Sequence, residues 1–374
     1  MFGDSKAILG NSMDMTYRII KLNFSGFERN ILRASLPLKQ VVTSYPREKR
    51  ILSLSYRFLI CLFMLGMSSI SWSAEVMPQK TIDDHPWSVD LRARSIFKSH
   101  TSYEFGNLFA PYQSPLSRLE FPMDSWWAGV EARRSFKNNR FSAGIEVMRN
   151  ISRETGGVMK DSDWDDERNP SQKTIYSESN CRMEPSYSVR ADLDMSIADW
   201  LRLPARLDLR PVIGMRWQRL TFMTHDGSQS DVSIGQLALP GDLLHFEQVY
   251  WHYFLGLKSS YDLGRPFKLK RLIVTTQLDW AYVEGKNEDH HLLHAGNRFT
   301  YETTYGDAVH GAIGIKAGLT ERVNLGLELD YLRIKTTGTH RLSNDLFGIN
   351  VSWTNGVQVW SEQTSITMSL QYMF

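Results

Sequence analysis

From residue 87 to the C-terminus the chain is written with a period of two, and this restricts the fold more than any other feature. Apolar and polar residues alternate through 89–96, 127–134, 141–148, 187–195, 207–223, 250–263, 272–283, 299–319, 323–334 and 358–374. Successive side chains of an extended backbone point to opposite faces, so each run carries one apolar and one polar face. No convincing helical period interrupts them. The runs amount to about ten strands, an even number, and several reach the ~9–11 residues of a tilted transmembrane strand. The links between them alternate in length. Short ones fall at 137–139, 203–204, 264–266 and 320–321, and long polar ones at 106–118, 160–180, 225–245, 285–297 and 338–356. Short turns on one side and long loops on the other are the layout of an outer-membrane barrel. The last run ends the same way, with Ile366, Met368, Leu370, Tyr372 and Phe374 on alternate positions. The expected fold is therefore all-β: a ten-stranded antiparallel transmembrane β-barrel with long outer loops, set in the outer membrane of a Gram-negative cell. A secreted soluble β-protein is the competing architecture.

Composition bears on what such a barrel does. A net charge of +2 argues against a nucleic-acid binder, which would carry a basic excess on one face. Aromatic residues are abundant (Trp 11, Tyr 15, Phe 18), as two interfacial girdles require. The negative mean hydropathy excludes a bundle of transmembrane helices but not a barrel, which hides its lipid face by alternation. Only Cys61 and Cys181 are present, which leaves no disulfide framework and no cysteine-ligated zinc. No motif surrounds Cys181 to suggest a nucleophile.

The first 74 residues read differently. Residues 1–50 are basic and irregular, and are expected to be a non-native extension from an upstream start or a disordered n-region. Residues 51–74 combine Arg57, the apolar run 58–67 and the small residues Ser68, Ser69, Ser71, Ser73 and Ala74, the pattern of a secretory signal. The apolar run is shorter than the ~20 residues of a spanning helix. Cleavage after Ser73 or Ala74 would leave 75–374 as the barrel.

Two polar clusters carry the candidate chemistry. Asp161 and Asp163, in Met159-Lys160-Asp161-Ser162-Asp163-Trp164, share one face of an extended backbone. Asp289 and His291, in Asn287-Glu288-Asp289-His290-His291, repeat that spacing, and strand parity puts both pairs on the long-loop side. Alone, an Asp-x-Asp in a polar loop is more often a solvated turn or a weak calcium site. Likewise Asp289, His290, His291 and His294 alone suit a metal site, since neutral imidazole is a common ligand. The basic alternation of Arg92 and Arg94 reads as a wet lumen face that also suits anions. Trp126, Trp127, Trp251 and Trp353 are expected in the membrane girdle or the outer loops.

Gly156-Gly157-Val158-Met159-Lys160-Asp161-Ser162-Asp163-Trp164, with Asn169-Pro170 after it, resembles the signature of the omptins, ten-stranded outer-membrane endoproteases. Tyr282-Val283-Glu284, Asp289-His290-His291 and Gly296-Asn297-Arg298-Phe299-Thr300-Tyr301 follow the family order. The resemblance implies an endopeptidase that activates water. His291 would be general base and Asp289 its orienter, with Asp161 and Asp163 opposite them to bind the water and settle the tetrahedral intermediate. An imidazole accepts a proton near neutral pH, and a neighbouring carboxylate favours the imidazolium. Two adjacent carboxylates raise one another's proton affinity, so one of Asp161 and Asp163 is expected to hold a proton for the oxyanion.

The resemblance further implies peptide substrates cut near basic residues, with Glu104 as a pocket carboxylate. Asn287 stands where the family has a second pocket aspartate; Glu288 would compensate, from the other face of the strand. Lipopolysaccharide is implied as an activating lipid, with no metal or organic cofactor, no nucleic acid and a monomeric barrel. Ile175 to Met183 depart from the family pattern; Asp161-Ser162-Asp163-Trp164 and Tyr176-Ser177-Glu178-Ser179 are also similar to omptin-related outer-membrane proteins of chlamydia-like bacteria. The alternative function is a non-catalytic barrel on the same scaffold, either a small-solute porin or a structural surface protein.

Overall fold

The computed structural model describes residues 86–106, 115–164, 166 and 168–374. The expected extension and signal, 1–50 and 51–74, lie outside the described residues. In lipid every backbone N–H and C=O must be bonded within the protein, and a sheet achieves this only by closing on itself. The chain does so. Its strands are β1 (Trp87–Phe105), β2 (Ser117–Pro122), β3 (Ser125–Phe136), β4 (Phe141–Asn150), β5 (Glu154–Asp163), β6 (Ile175–Met183) and β7 (Tyr187–Met195). They continue with β8 (Leu207–Asp231), β9 (Gly235–Gly264), β10 (Arg271–His291), β11 (Arg298–Gly318), β12 (Val323–Asn344) and β13 (Ile349–Met373). All pairings are antiparallel, and β13 pairs with β1 to close the ring. Thirteen segments make ten strands, because three strands are broken midway. β1 meets β3 along its first half and β2 along its second, while β8 meets β7 and β6 in the same manner. Either half of the barrel is thus a ring of ten.

The long outer segments expected as loops are mostly strand. β8 and β9 run to a turn at 232–234, β10 and β11 to one at 292–297, and β12 and β13 to one at 345–348. Their sequences look loop-like because, above the membrane, both faces are polar; the ladder itself holds them extended. Lipid-facing apolar residues fall short of these ends. On β10 the exposed outward positions change from Leu278, Trp280 and Tyr282 to Glu284, Lys286 and Glu288. On β12 they change from Leu325, Leu327, Leu329 and Tyr331 to Arg333, Lys335 and Thr337. From Tyr282 to Asp289 the strand climbs roughly 23 Å beyond the aromatic girdle. Trp126 and Trp251 are exposed as expected of a girdle, but Trp127 points inward and is buried, because neighbours on a strand take opposite faces.

The lumen is filled in layers. At membrane level Arg92 is paired with Glu131 at 2.6 Å, with Glu328 at 2.7 Å and with Glu146. Arg133 reaches Asp192 at 2.8 Å and Asp194 at 2.9 Å, and Lys258 reaches the same two at 2.7 and 3.0 Å. Arg92 and Arg94 therefore face carboxylates rather than an anion-attracting channel. Higher up, Phe121 stacks on Phe246 at 4.3 Å, with Phe222 and Tyr103 at the sides, all fully buried.

One irregularity decides which residues face inward above the membrane. Below it, Asp90, Arg92 and Ile96 are buried in the lumen. Between Phe97 and His100, β1 holds one more residue than β13 does between Thr364 and Glu362, and Lys98 has φ 50°. A bulge of one residue exchanges the two faces. Beyond it the inward set is Thr101, Tyr103 and Phe105. The break between β2 and β3 lies alongside, where Met123 N–H donates to Ser99 O at 3.0 Å and Ser99 N–H to Asp124 Oδ1 at 2.9 Å.

Removing one member of a buried ion cluster leaves its partners unpaired and costs about 3–5 kcal/mol. Arg92→Met is expected to lose that much. A urea titration of the compact, heat-modifiable gel band would measure it, with Arg333→Met, an exposed position, changing little.

Candidate active site

Two strands, β5 and β10, carry the four candidate residues at the outer end of the barrel. β5 turns Asp161 and Asp163 inward, alternating with the outward Lys160 and with Ser162. Asp161 is held by the ladder between Leu119 of β2 and Ser177 of β6. On β10, Asn287 and Asp289 face inward and Glu288 outward. The β10–β11 hairpin closes through Gly296 (φ 87°) and Asn297 (φ 52°), left-handed positions; a Cβ on Gly296 would also stand 2.3 Å from Asn344 Oδ1. That turn sets Arg298 directly opposite His291 and Thr300 opposite Asp289.

Asp289 is fully buried, and its Oδ2 lies 3.4 Å from His291 Nε2. His294 packs edge-on to the His291 ring at 5.1 Å. His290 does not share this site; it stacks on Phe299 at 4.1 Å, on the other face of the hairpin. Tyr103 donates a hydrogen bond to Asp289 Oδ2. Asp161 Oδ1 is shielded from solvent and accepts no hydrogen bond. One register row below the dyad, Asn287, Glu302 and His340 are direct cross-strand neighbours, all buried, with Glu302 Oε1 2.8 Å from His340 Nδ1. Phe105 stacks on His340 at 4.4 Å and Trp353 meets it edge-on at 4.6 Å, so Trp353 closes this end of the lumen rather than joining a girdle.

The electrostatics separate the carboxylates. Burial pushes Asp161 well above the ordinary aspartate range, and the charges of Asp163 and Asp289 push the same way, against Arg298. Burial acts upward on Asp289 too, but the charge and hydrogen bond of His291, the Tyr103 hydroxyl and Arg298 together hold it below its ordinary value. An Asp161 carboxyl pushed up thus stands near an Asp289 carboxyl held down. Opposed shifts of neighbouring carboxyls are what acid and base roles require.

Two expected substrate-binding residues lie elsewhere. The bulge in β1 turns Glu104 away from the lumen, where it accepts hydrogen bonds from Arg118 Nε at 2.9 Å and Nη2 at 2.7 Å. Glu288 is exposed on the outer face, beside Glu247 and Tyr301, and does not line the cleft. The residues that do line it without having been singled out are Tyr103, Arg298, Glu302 and His340. Arg298 lay within a motif already in view, but strand alternation alone gives no sign that Glu302 and His340 meet. Cys181 is buried, and burial pushes its thiol up to about 12, which removes it as a thiolate nucleophile. Among the described residues, no group of three or more His, Cys, Asp and Glu is arranged to hold a metal ion.

A model of the Omptin family matches residues 133–374. The chain belongs to the Omptin family. It is 24% identical over 175 residues to Protease 7 of Escherichia coli K12, covering 44% of this chain and 51% of that protein, with the same figures for Protease 7 of Escherichia coli O157:H7. The chain thus spans about half the length of the curated relatives it matches. Its fold is similar to the crystal structure of the outer membrane protease OmpT from Escherichia coli, with a TM-score of 0.67 at 16% identity over 81% of this chain and 100% of that one. This omptin barrel is an outer-membrane protein of the Gram-negative type.

The raised Asp161 carboxyl has a consequence for stability. The folded state holds its proton more tightly than the unfolded chain, whose aspartate titrates at about 3.9. Stability is therefore undiminished below that pH and is lost as pH rises from there through the folded value. Asp161→Asn, which has no charge to bury, is expected to stabilise the barrel at pH 8 and to leave it unchanged at pH 3; thermal conversion of the gel band at both pH values would reveal the difference.

Proposed function

We propose that the protein is an outer-membrane endopeptidase that hydrolyses peptide bonds near basic residues with an activated water. The observation that carries this reading is the meeting, at one outer cleft, of the Asp289–His291 pair with Asp161, whose carboxyl burial and like charges push up, and its neighbour Asp163. Asp289 holds one ring nitrogen of His291, and the other ring nitrogen takes a proton from water as its oxygen attacks the scissile carbonyl carbon. Asp289 stabilises the imidazolium that forms. Asp161 donates a hydrogen bond to the oxyanion, and Asp163 holds the water. Collapse expels the amine, which takes its proton from His291. No metal or organic cofactor enters.

Preference for basic substrates rests on the cleft as a whole. Asp163, Asp289 and Glu302 outnumber Arg298 there, an excess that draws cationic peptides toward the opening. Glu104 and Glu288, facing outward, have no part in it. Lipopolysaccharide is the proposed lipid partner: Lys286, Arg333 and Lys335 stand exposed just above the lipid-facing band and would offer cations to an anionic head group. The barrel would work as a monomer.

The reading is tested with the barrel refolded in lipopolysaccharide and detergent and given a fluorogenic peptide containing Arg-Arg. Loss of the general base costs about 10²–10⁴-fold. His291→Ala is expected to fall in that range, with Asp161→Asn also strongly impaired. Equal turnover by all three proteins would overturn it. The alternative, a pore, would give steady conductance in a planar bilayer; the ion-paired and aromatic layers filling the lumen predict none.

A further inference from the structure

The bulge in β1 has a chemical result. Strict alternation from Ile96 would carry Glu104 into the cleft, and the extra residue carries Tyr103 there instead. Tyr103 is fully buried, with its ring stacked on Phe246 at 5.5 Å and 24°. Phe246 in turn lies flat against Phe121, so the phenol has little freedom to move. Its hydroxyl donates to Asp289 Oδ2, the same oxygen that faces His291 Nε2 at 3.4 Å, while Asp289 Oδ1 accepts no hydrogen bond.

We propose that Tyr103 is a positioning residue for the Asp289–His291 dyad. An aspartate carboxylate on a strand can rotate about its Cβ–Cγ bond and exchange its two oxygens. A donor fixed by aromatic packing selects one orientation and keeps Oδ2 toward the imidazole. The same bond draws charge from that oxygen, which moderates how strongly Asp289 favours the imidazolium. The donor is permanent: burial and the charges of Asp289 and Glu302 hold the phenol proton in place well above the ordinary tyrosine range. The hydroxyl is fully buried and engaged by Asp289, so it acts through that carboxylate. Its effect on turnover rests on the peptidase reading, but its effect on His291 does not.

The other ionisable groups near the dyad are Asp161 and Asp163 on β5, Arg298 and Glu302 on β11, His340 on β12 and His294 in the hairpin. None is altered in Tyr103→Phe, which also keeps the ring stack. Two readouts on the refolded full barrel test the proposal. Histidine ring NMR gives the His291 titration, assigned by its absence from His291→Ala. In Tyr103→Phe, Asp289 keeps its full charge for the imidazolium, so His291 is expected to titrate at higher pH. The acid limb of the pH–rate profile should move with it, and kcat should fall about 10- to 100-fold with KM little changed. A variant that titrates and turns over like the wild type overturns the proposal. A His291 shift in a protein without wild-type turnover would refute the peptidase reading and leave the positioning role standing. Should Tyr103→Phe fail to give the heat-modifiable band, Asp289→Asn provides the reciprocal measurement. With that charge gone, the Tyr103 ring carbons should titrate at lower pH than in the wild type, and an unmoved titration would overturn the proposal.

Discussion

Closure of the β13–β1 ladder is the constraint on which everything else depends. Sixteen of the nineteen residues of β1, from Ser88 to Phe105, have a cross-strand partner on β13. Without that seam the barrel would present an open edge to hydrocarbon, where unpaired backbone groups have no water to turn to. Closure also fixes which faces look inward all around the ring, since the period-two alternation allows only an inside and an outside. The outside at membrane level must be apolar. The inside is then free to carry charge, provided that each charge is met by another.

The lumen exploits that freedom unevenly along its length. At membrane level most of the charge is met, with Arg92, Arg133, Arg210 and Lys258 bound to facing carboxylates at hydrogen-bond distance. In the outer cleft the balance is broken. Asp161, Asp163, Asp289 and Glu302 converge with Arg298, and several buried oxygens there accept no hydrogen bond. Uncompensated polar groups in a buried site are costly to the fold. The aromatic layer of Phe121, Phe222, Phe246 and Tyr103 separates the two regimes, so the cleft sits on a closely packed apolar floor. Rigidity below and electrostatic imbalance above is the division expected of a site that must hold reactive groups in place.

Much of this was legible in the sequence. Period-two alternation reveals the strands, link lengths reveal the two sides, and the i, i+2 spacing reveals that Asp161 joins Asp163 and Asp289 joins His291. Parity even separates His291 from His290. What escaped has a single physical origin: parity holds only while the ladder is regular. One extra residue between Phe97 and His100 turned Glu104 outward and Tyr103 inward, and no local signal in Phe97-Lys98-Ser99-His100 announces it. The outer strand ends escaped for another reason. Polar residues on both faces look like loop, because only membrane and core impose an alternation on the sequence. The Glu302–His340 contact lay beyond reach because it depends on the register between β11 and β12, which no single strand encodes.

The bulge then ties fold to chemistry. An inward Glu104 would have added another carboxylate beside Asp289 and Asp161, in a cleft where burial and like charges already push the Asp161 carboxyl up. A further negative neighbour would drive Asp289 itself toward protonation and weaken its hold on His291. A tyrosine avoids this by filling the same space with a neutral donor. It packs into the aromatic floor and supplies a hydrogen bond that favours the ionised carboxylate. Asn287, a neutral polar residue in the row beneath the dyad, acts in the same sense. Both residues add polarity beside the dyad without adding charge.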